Sequence, residues 1–490
     1  MNPIAGPILL LVLPLSAAGA TYLVRRWATL ATVMATMTAG LLAFLCLRLP
    51  LDRSAFILGQ EVAFGRPIVM LGQTLQLDPA GKLWLAFVFG LAAIYYLVAW
   101  RVSQGRSFFP FSLAMLTLYT LVILFQVFAM AVLVFAVSVA LAVFIIQAGQ
   151  LTSVRGAQRY LLVTLLAVPF LLAAGWLVNP SAPDVQTTEM IRRALVPAAL
   201  GLGLLLAVFP FGTWMPAVAA DAPPIVTAFL FTVGQAMALF LAFTFFRDNP
   251  LVTADPVMAT VIRLAGLVMA ASGGLMASVQ RDFGRLFGYA ALSSLGILLL
   301  ALVAGGSQGI TLALLHGVGR SVSIALLATA LAILRHWAGT DRFAELRGMA
   351  RHLPIATLGL MLGGLALAGF PLTAGFPTYW AVSRALWNWV SSIAPTLGEV
   401  TSIVEAAPGQ GWVSTLTMGA LLVSSAGIII GYLRGLNGML GTDQRTDVAR
   451  QPITASLIVL ALAALTIVLG LYPQLFLDPV QRAAQAFSLF

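Results

Sequence analysis

Cysteine occurs once in the 490 residues, at Cys46, lysine once, at Lys82, and histidine three times. A lone thiol excludes an intrachain disulfide, and so few soft ligands argue against an iron–sulfur cluster or a structural zinc site. Acidic side chains are missing where they would count most. The stretch from Pro79 to Pro183 has no aspartate or glutamate, and none of the long apolar runs carries one near its centre. With lysine almost absent, nearly all the positive charge is guanidinium, which stays protonated and does not readily hand on a proton. No phosphate-binding glycine loop, dinucleotide fingerprint or metal-ligand cluster is present, so no cofactor is expected in this chain.

What is present is apolar. The chain is 61% hydrophobic and 9% charged, with a mean hydropathy of +1.01. Such a composition has too little polar surface to cover a water-soluble globule. Runs of about 20 apolar residues, separated by arginines and Pro/Gly clusters, predict membrane helices and not barrel strands. The net charge of +10 would suggest nucleic acid in a soluble protein; here the arginines fall between helices and orient the chain in the bilayer. Ala18-Gly19-Ala20 has the small-residue spacing of a signal-peptide cleavage site. No positive charge precedes that apolar run, however, and a second span follows Arg25 and Arg26, so a first membrane helix is expected.

Hydropathy predicts an all-α polytopic protein of about fourteen spans: 4–24, 27–48, 80–100, 108–127, 129–148, 157–178, 194–211, 222–246, 256–277, 286–305, 308–334, 353–392, 412–434 and 452–473. The 353–392 stretch is too long for one straight helix and holds Gly369-Phe370-Pro371 and Gly375-Phe376-Pro377. A discontinuous helix is expected there, and a second one at Phe209-Pro210-Phe211-Gly212. Breaks in corresponding positions fit two inverted repeats of five helices, although prolines that only adjust packing would give the same pattern. The expected parts are 1–107 (three helices and an extracytoplasmic loop), 108–251 (first repeat), 252–395 (second repeat) and 396–490 (two last helices). Arginine asymmetry between alternate loops puts both termini outside the cytoplasm, in a bacterial inner membrane.

Four stretches resemble a known family. Gly203 to Pro216 with Ala222-Pro223-Pro224 and Thr227 to Leu230 resembles the broken seventh helix and the start of the eighth in antiporter-like membrane subunits of respiratory complex I. Gln280 to Tyr289 with Ser293 to Gly296 resembles that family's basic loop entering a helix. Leu367 to Phe376 resembles its broken twelfth helix, and Gly470-Leu471-Tyr472-Pro473 its ending. The subunit N type is most similar, and Mrp-type antiporter subunits share the pattern. The resemblance implies a complex-I-type assembly with other membrane subunits, peripheral redox subunits and the lipid bilayer as partners, and no nucleic acid.

It also implies a proton pathway of a glutamate in the fifth helix, lysines in the seventh and eighth, and a lysine or glutamate in the twelfth. Carried over along the motifs, these positions fall near Phe135 or Ala136, on Leu205, on Gln235 and on Tyr379. None of these ionises near neutral pH. The polar residues left as candidates are His316 and Arg320, four apart on one helical face where the family often has a histidine and a lysine, with Gln235 and Tyr379. Thr227, Thr232, Ser293, Ser294 and Thr373 can line a hydrated path or simply join helices. Arg263 and Arg384 lie nearer helix ends and are expected to snorkel. Three readings stay open: a proton-inactive scaffold subunit, a proton translocator rebuilt around His316 and Arg320, and a stand-alone solute transporter. The third lacks the convergent polar groups a solute site needs.

Overall fold

A computed structural model describes residues 4–487 except 49, 52–54, 58–59, 71, 101, 103, 148–152, 179–187, 250–255, 305–307, 388–409 and 442–452. The boundaries expected at 251/252 and 395/396, and Arg53, Arg101, Arg445 and Arg450 of the charge asymmetry, lie outside the described residues. Among the described residues, eleven helices are long and apolar enough to cross a membrane, and Phe108–Leu124 and Pro354–Leu367 are shorter apolar helices. Among the described residues there are five short strands, four of them between residues 55 and 75, and two isolated bridges, Leu75 with Phe125 and Asp282 with Arg342. The fold is all-α and polytopic.

Burial ranks the helices. Over its most apolar 18 residues the span Pro224–Asp248 is 100% buried inside the protein and Phe283–Val303 89% buried, whereas Arg155–Val178 is only 28% buried. These helices are apolar all round, so sequence periodicity cannot tell a lipid-facing helix from an interior one. Exposed Leu162, Leu166 and Trp176 show that Arg155–Val178 turns much of its apolar surface outward.

The chain forms two compact units: Met1–Ala207 with Ala217–Asp255 and Gln485–Leu489, and Val208–Pro216 with Pro256–Ala484 and Phe490. In the first unit, Asp221 accepts from Ser153 Oγ and from the Gly156 amide, both at 2.8 Å, at the start of Arg155–Val178. Asp78 caps Pro79–Ala99 through the Gly81 amide at 2.6 Å and pairs with Arg247 at 2.8 Å. In the second, Asp341 caps Phe283–Ala304 through the Gly284 amide at 3.0 Å and receives Arg335 Nη2 at 2.6 Å. Each carboxylate satisfies amides that a helix start leaves without an intrahelical partner, and its charge matches the positive end of the helix dipole.

Both expected interruptions are present. Thr188–Leu205 stops before Ala207, whose φ is 57°, and the chain resumes through a 3₁₀ turn, Phe211–Thr213, into Trp214–Asp221. Pro354–Leu367 stops before Gly369 at φ 73° and Leu372 at φ 67°, and helix resumes at 376–387. Glycine adopts the left-handed conformation without a Cβ clash, which accounts for Gly369. Ala207 and Leu372 adopt it as L residues, at a cost the surrounding structure must offset. A third irregularity has no proline to announce it: Leu230–Gly234 is a π turn inside the span Pro224–Asp248.

Candidate functional site

In the second unit the helix Gly309–Ala338 runs unbroken past the interruption. Gly319 makes this approach possible, since a Cβ there would lie 2.7 Å from the Ala374 carbonyl. Gly470 does the same from the other side, where a Cβ would meet Leu372 and Thr373 backbone at 2.6 Å. The chain's Gly470-Leu471-Tyr472-Pro473 ending thus has a packing reason. The Ala368 carbonyl, beyond the end of Pro354–Leu367, accepts from Ser425 Oγ at 2.8 Å. Side chains from neighbouring helices take up backbone groups freed at membrane depth, as a bilayer interior requires.

His316, 4% exposed, reaches across to the restarted helix. Its Nδ1 lies 2.8 Å from Thr378 Oγ1, and its Nε2 lies 3.1 Å from Ser294 Oγ and 3.0 Å from the Ser294 carbonyl. Two proton arrangements satisfy the neutral ring. With hydrogen on Nδ1, Thr378 accepts from it and gives its own proton to the Gly375 carbonyl at 3.2 Å, while Ser294 donates to Nε2. With hydrogen on Nε2, the Ser294 carbonyl accepts and Thr378 donates to Nδ1. Arg320, equally buried, donates from Nη2 to the Ala291 carbonyl at 3.2 Å. His316 therefore makes the interhelical hydrogen bonds, and Arg320 the carbonyl contact, that a packing role needs.

Tyr379 follows Thr378 directly. Its ring covers Gly369, where a Cβ would lie 2.6 Å away, and its hydroxyl donates to the Leu421 carbonyl. Ser293 bonds the Ala270 carbonyl at 2.9 Å and Ser424 Oγ at 2.6 Å. Arg263 is partly exposed and donates to the Val303 carbonyl at 3.3 Å, and Arg384 is exposed. His316, Arg320 and Tyr379 share this unit; Gln235 belongs to the first.

Gln235 is the first residue after the π turn and is 4% exposed. Thr232 Oγ1 lies 2.9 Å from the Tyr95 hydroxyl and 2.7 Å from the Ala228 carbonyl. The Tyr119 hydroxyl lies over Gly234, 3.6 Å from where its Cβ would be, and Ser138 Oγ donates to the Phe135 carbonyl at 2.6 Å. Phe135 stacks on Tyr119 with centroids 6.3 Å apart, and Leu205 is buried at the end of its helix.

Sequence reasoning missed Thr378, Tyr95, Tyr119 and Ser138. Thr378 carried one signal, its place directly after Phe376-Pro377 where a broken helix restarts. The two tyrosines and Ser138 carried none, because isolated hydroxyls in apolar helices usually bond their own backbone.

The sequence family described as NADH:quinone oxidoreductase/Mrp antiporter, TM, matches residues 125–404. The chain is 28% identical over 408 residues to the NADH-quinone oxidoreductase subunit N of Desulforudis audaxviator, covering 76% of this chain and 79% of that protein. Against subunit N of Ectopseudomonas mendocina the identity is 28% over 301 residues, 58% of this chain and 54% of that one. In three dimensions it is similar to a chain of respiratory complex I from Thermus thermophilus with a TM-score of 0.74 at 19% identity, covering 98% of both chains. A chain of the Mrp complex from Dietzia sp. gives a TM-score of 0.78 at 20% identity, covering 98% of this chain and 52% of that one. At such identities the structural likeness establishes the fold.

Proposed function

Because the chain belongs to the NADH:quinone oxidoreductase/Mrp antiporter transmembrane family, we propose that it is an antiporter-like membrane subunit of a complex-I-type assembly that carries no protons through titrating side chains. The observation that carries this reading is the occupancy of the four motif-matched positions. Leu205 is buried apolar surface, Phe135 is stacked on Tyr119, Gln235 is neutral, and the Tyr379 hydroxyl is held by a backbone carbonyl. Moving a proton through such an interior leaves a charge without solvation or partner, a cost of several kcal/mol at least. The chain would then serve the assembly as architecture, in a bacterial inner membrane with both termini outside the cytoplasm, beside other membrane subunits and peripheral redox subunits.

One observation favours a second reading. His316 is bonded on both ring nitrogens, and exchange between its two arrangements would shift protons across the ring, as one step of a relay does. A single experiment separates the two. Purified chain in liposomes, under an imposed pH gradient, is expected to show no proton flux above that of empty vesicles, and Leu205→Lys alone is expected to create none. Flux that disappears in His316→Ala would overturn the scaffold reading and establish the relay.

A further inference from the structure

The second unit carries a surplus of positive charge at one end. Residues 275–285, 335–353 and 430–441 hold seven arginines and three carboxylates. Each carboxylate has an arginine of its own: Asp282 pairs with Arg285, Asp341 with Arg335 and Glu345 with Arg342. Arg281, Arg347, Arg351 and Arg434 are left over, all exposed and with no acidic partner among the described residues.

The three segments that carry these arginines are fixed to one another. The Phe343 amide donates to the Arg281 carbonyl at 3.0 Å and the Phe283 amide to the Asp341 carbonyl at 3.1 Å, around an antiparallel bridge of Asp282 with Arg342. The end of Gln410–Leu440 lies directly against them. A Cβ at Gly435 would meet the Phe283 ring at 2.5 Å, one at Gly438 the Phe343 carbonyl at 2.9 Å, and one at Gly441 the Arg347 side chain at 3.4 Å. From the same helix Arg434 donates to the Ser278 carbonyl at the end of Pro256–Ser278, where Gly431 fits against the Ala277 carbonyl. A guanidinium has five N–H donors, so this contact orients Arg434 and leaves donors for a ligand. Charges held in place beforehand spare a ligand much of the ordering cost of binding.

Leu275, Val279, Leu433 and Leu440 are exposed on the same two helix ends. Guanidinium groups beside apolar side chains, at the end of membrane spans, suit a ligand with an anionic head and hydrocarbon tails. We propose that this platform binds an anionic phospholipid of the surrounding bilayer, with Arg434 and Arg281 on its phosphate and its acyl chains along Leu275, Val279 and Leu433. A free phosphate would leave the apolar side chains unused. The site stands whether or not protons cross the chain.

Native mass spectrometry of the purified full-length chain with added lipid tests this. Phosphatidylglycerol is expected to bind more tightly than phosphatidylcholine, and Arg434→Gln to weaken phosphatidylglycerol about five-fold. Arg192→Gln lowers the net charge equally at an exposed arginine of the first unit and is expected to leave the affinity nearly unchanged. Equal affinity for the two lipids, or equal losses in the two variants, would overturn the proposal. Should Arg434→Gln fail to fold, photoactivatable phosphatidylglycerol on the wild-type chain decides: label in 275–281 or 433–441 supports the site, and label only elsewhere refutes it. Label displaced by inorganic phosphate would replace the lipid with a free anion. Label present on the isolated chain but absent from the chain in its native membrane assembly would replace it with an acidic protein surface.

Discussion

His316 Nδ1 and Thr378 Oγ1 lie 2.8 Å apart, so the unbroken helix Gly309–Ala338 is bonded to the first turn after the break. The Ser294 contacts on the other nitrogen extend this link to Phe283–Ala304. One imidazole thus joins three elements, and the interruption is held from outside itself.

Thr378→Val keeps the shape of the side chain and removes the hydroxyl. It is expected to cost about 1–3 kcal/mol, because one ring nitrogen then lacks a partner in a buried site. Thermal unfolding in detergent checks this, with Thr378→Ser expected to retain most of the stability. A wild-type melting temperature for the valine variant would show that the bond does not hold the break.

Tyr432 gives the opposite case. Its hydroxyl is buried and has no partner among the described residues, so Tyr432→Phe is expected to be neutral or stabilising. Gly364→Ala, on the facing helix, is expected to destabilise, because a Cβ there would meet the Tyr432 ring at 2.5 Å. Melting temperatures of the two variants should therefore move in different directions.

Asp282 supplies the pH dependence. Burial raises its carboxyl above the ordinary range, the Arg285 amide hydrogen bond pulls it down, and Asp341 adds to the rise. A raised native pKa means that the group's stabilising contribution is present below the unfolded value and is lost as pH rises through the native one. Asp282→Asn should thus be at least as stable as wild type at neutral pH, and its advantage should vanish on acidification toward pH ~4. Unfolding scans across that range test it; a constant deficit at every pH would mean that the bond to the Arg285 amide, 2.8 Å, outweighs the charge.

Orientation is accessible to fusion reporters. If both termini lie outside the cytoplasm, as arginine counting proposes, a reporter after Phe490 should be active on the outer side and one placed in 339–348 on the inner side. Reversed activities would refute the orientation drawn from arginine counting.

Composition alone determined that this chain lives in a membrane, and Gly369-Phe370-Pro371 and Phe209-Pro210 marked where its helices break. Those are local properties: hydrophobic length, and prolines and glycines that stop a helix wherever it is placed. The π turn before Gln235 was beyond reach, because Leu230 to Gly234 has the composition of an ordinary helix and only packing against neighbours selects the wider turn. The same holds for Thr378 beside His316, 62 residues apart, and for the Tyr119 hydroxyl over Gly234 in the π turn. Burial was equally hidden, since Pro224–Asp248 and Arg155–Val178 are both apolar helices, yet the apolar stretch of one is fully buried and that of the other only 28% buried. In a bilayer both environments favour the same side chains, so the hydrophobic signal that separates inside from outside in a soluble protein is absent, and only tertiary packing decides which surface meets lipid.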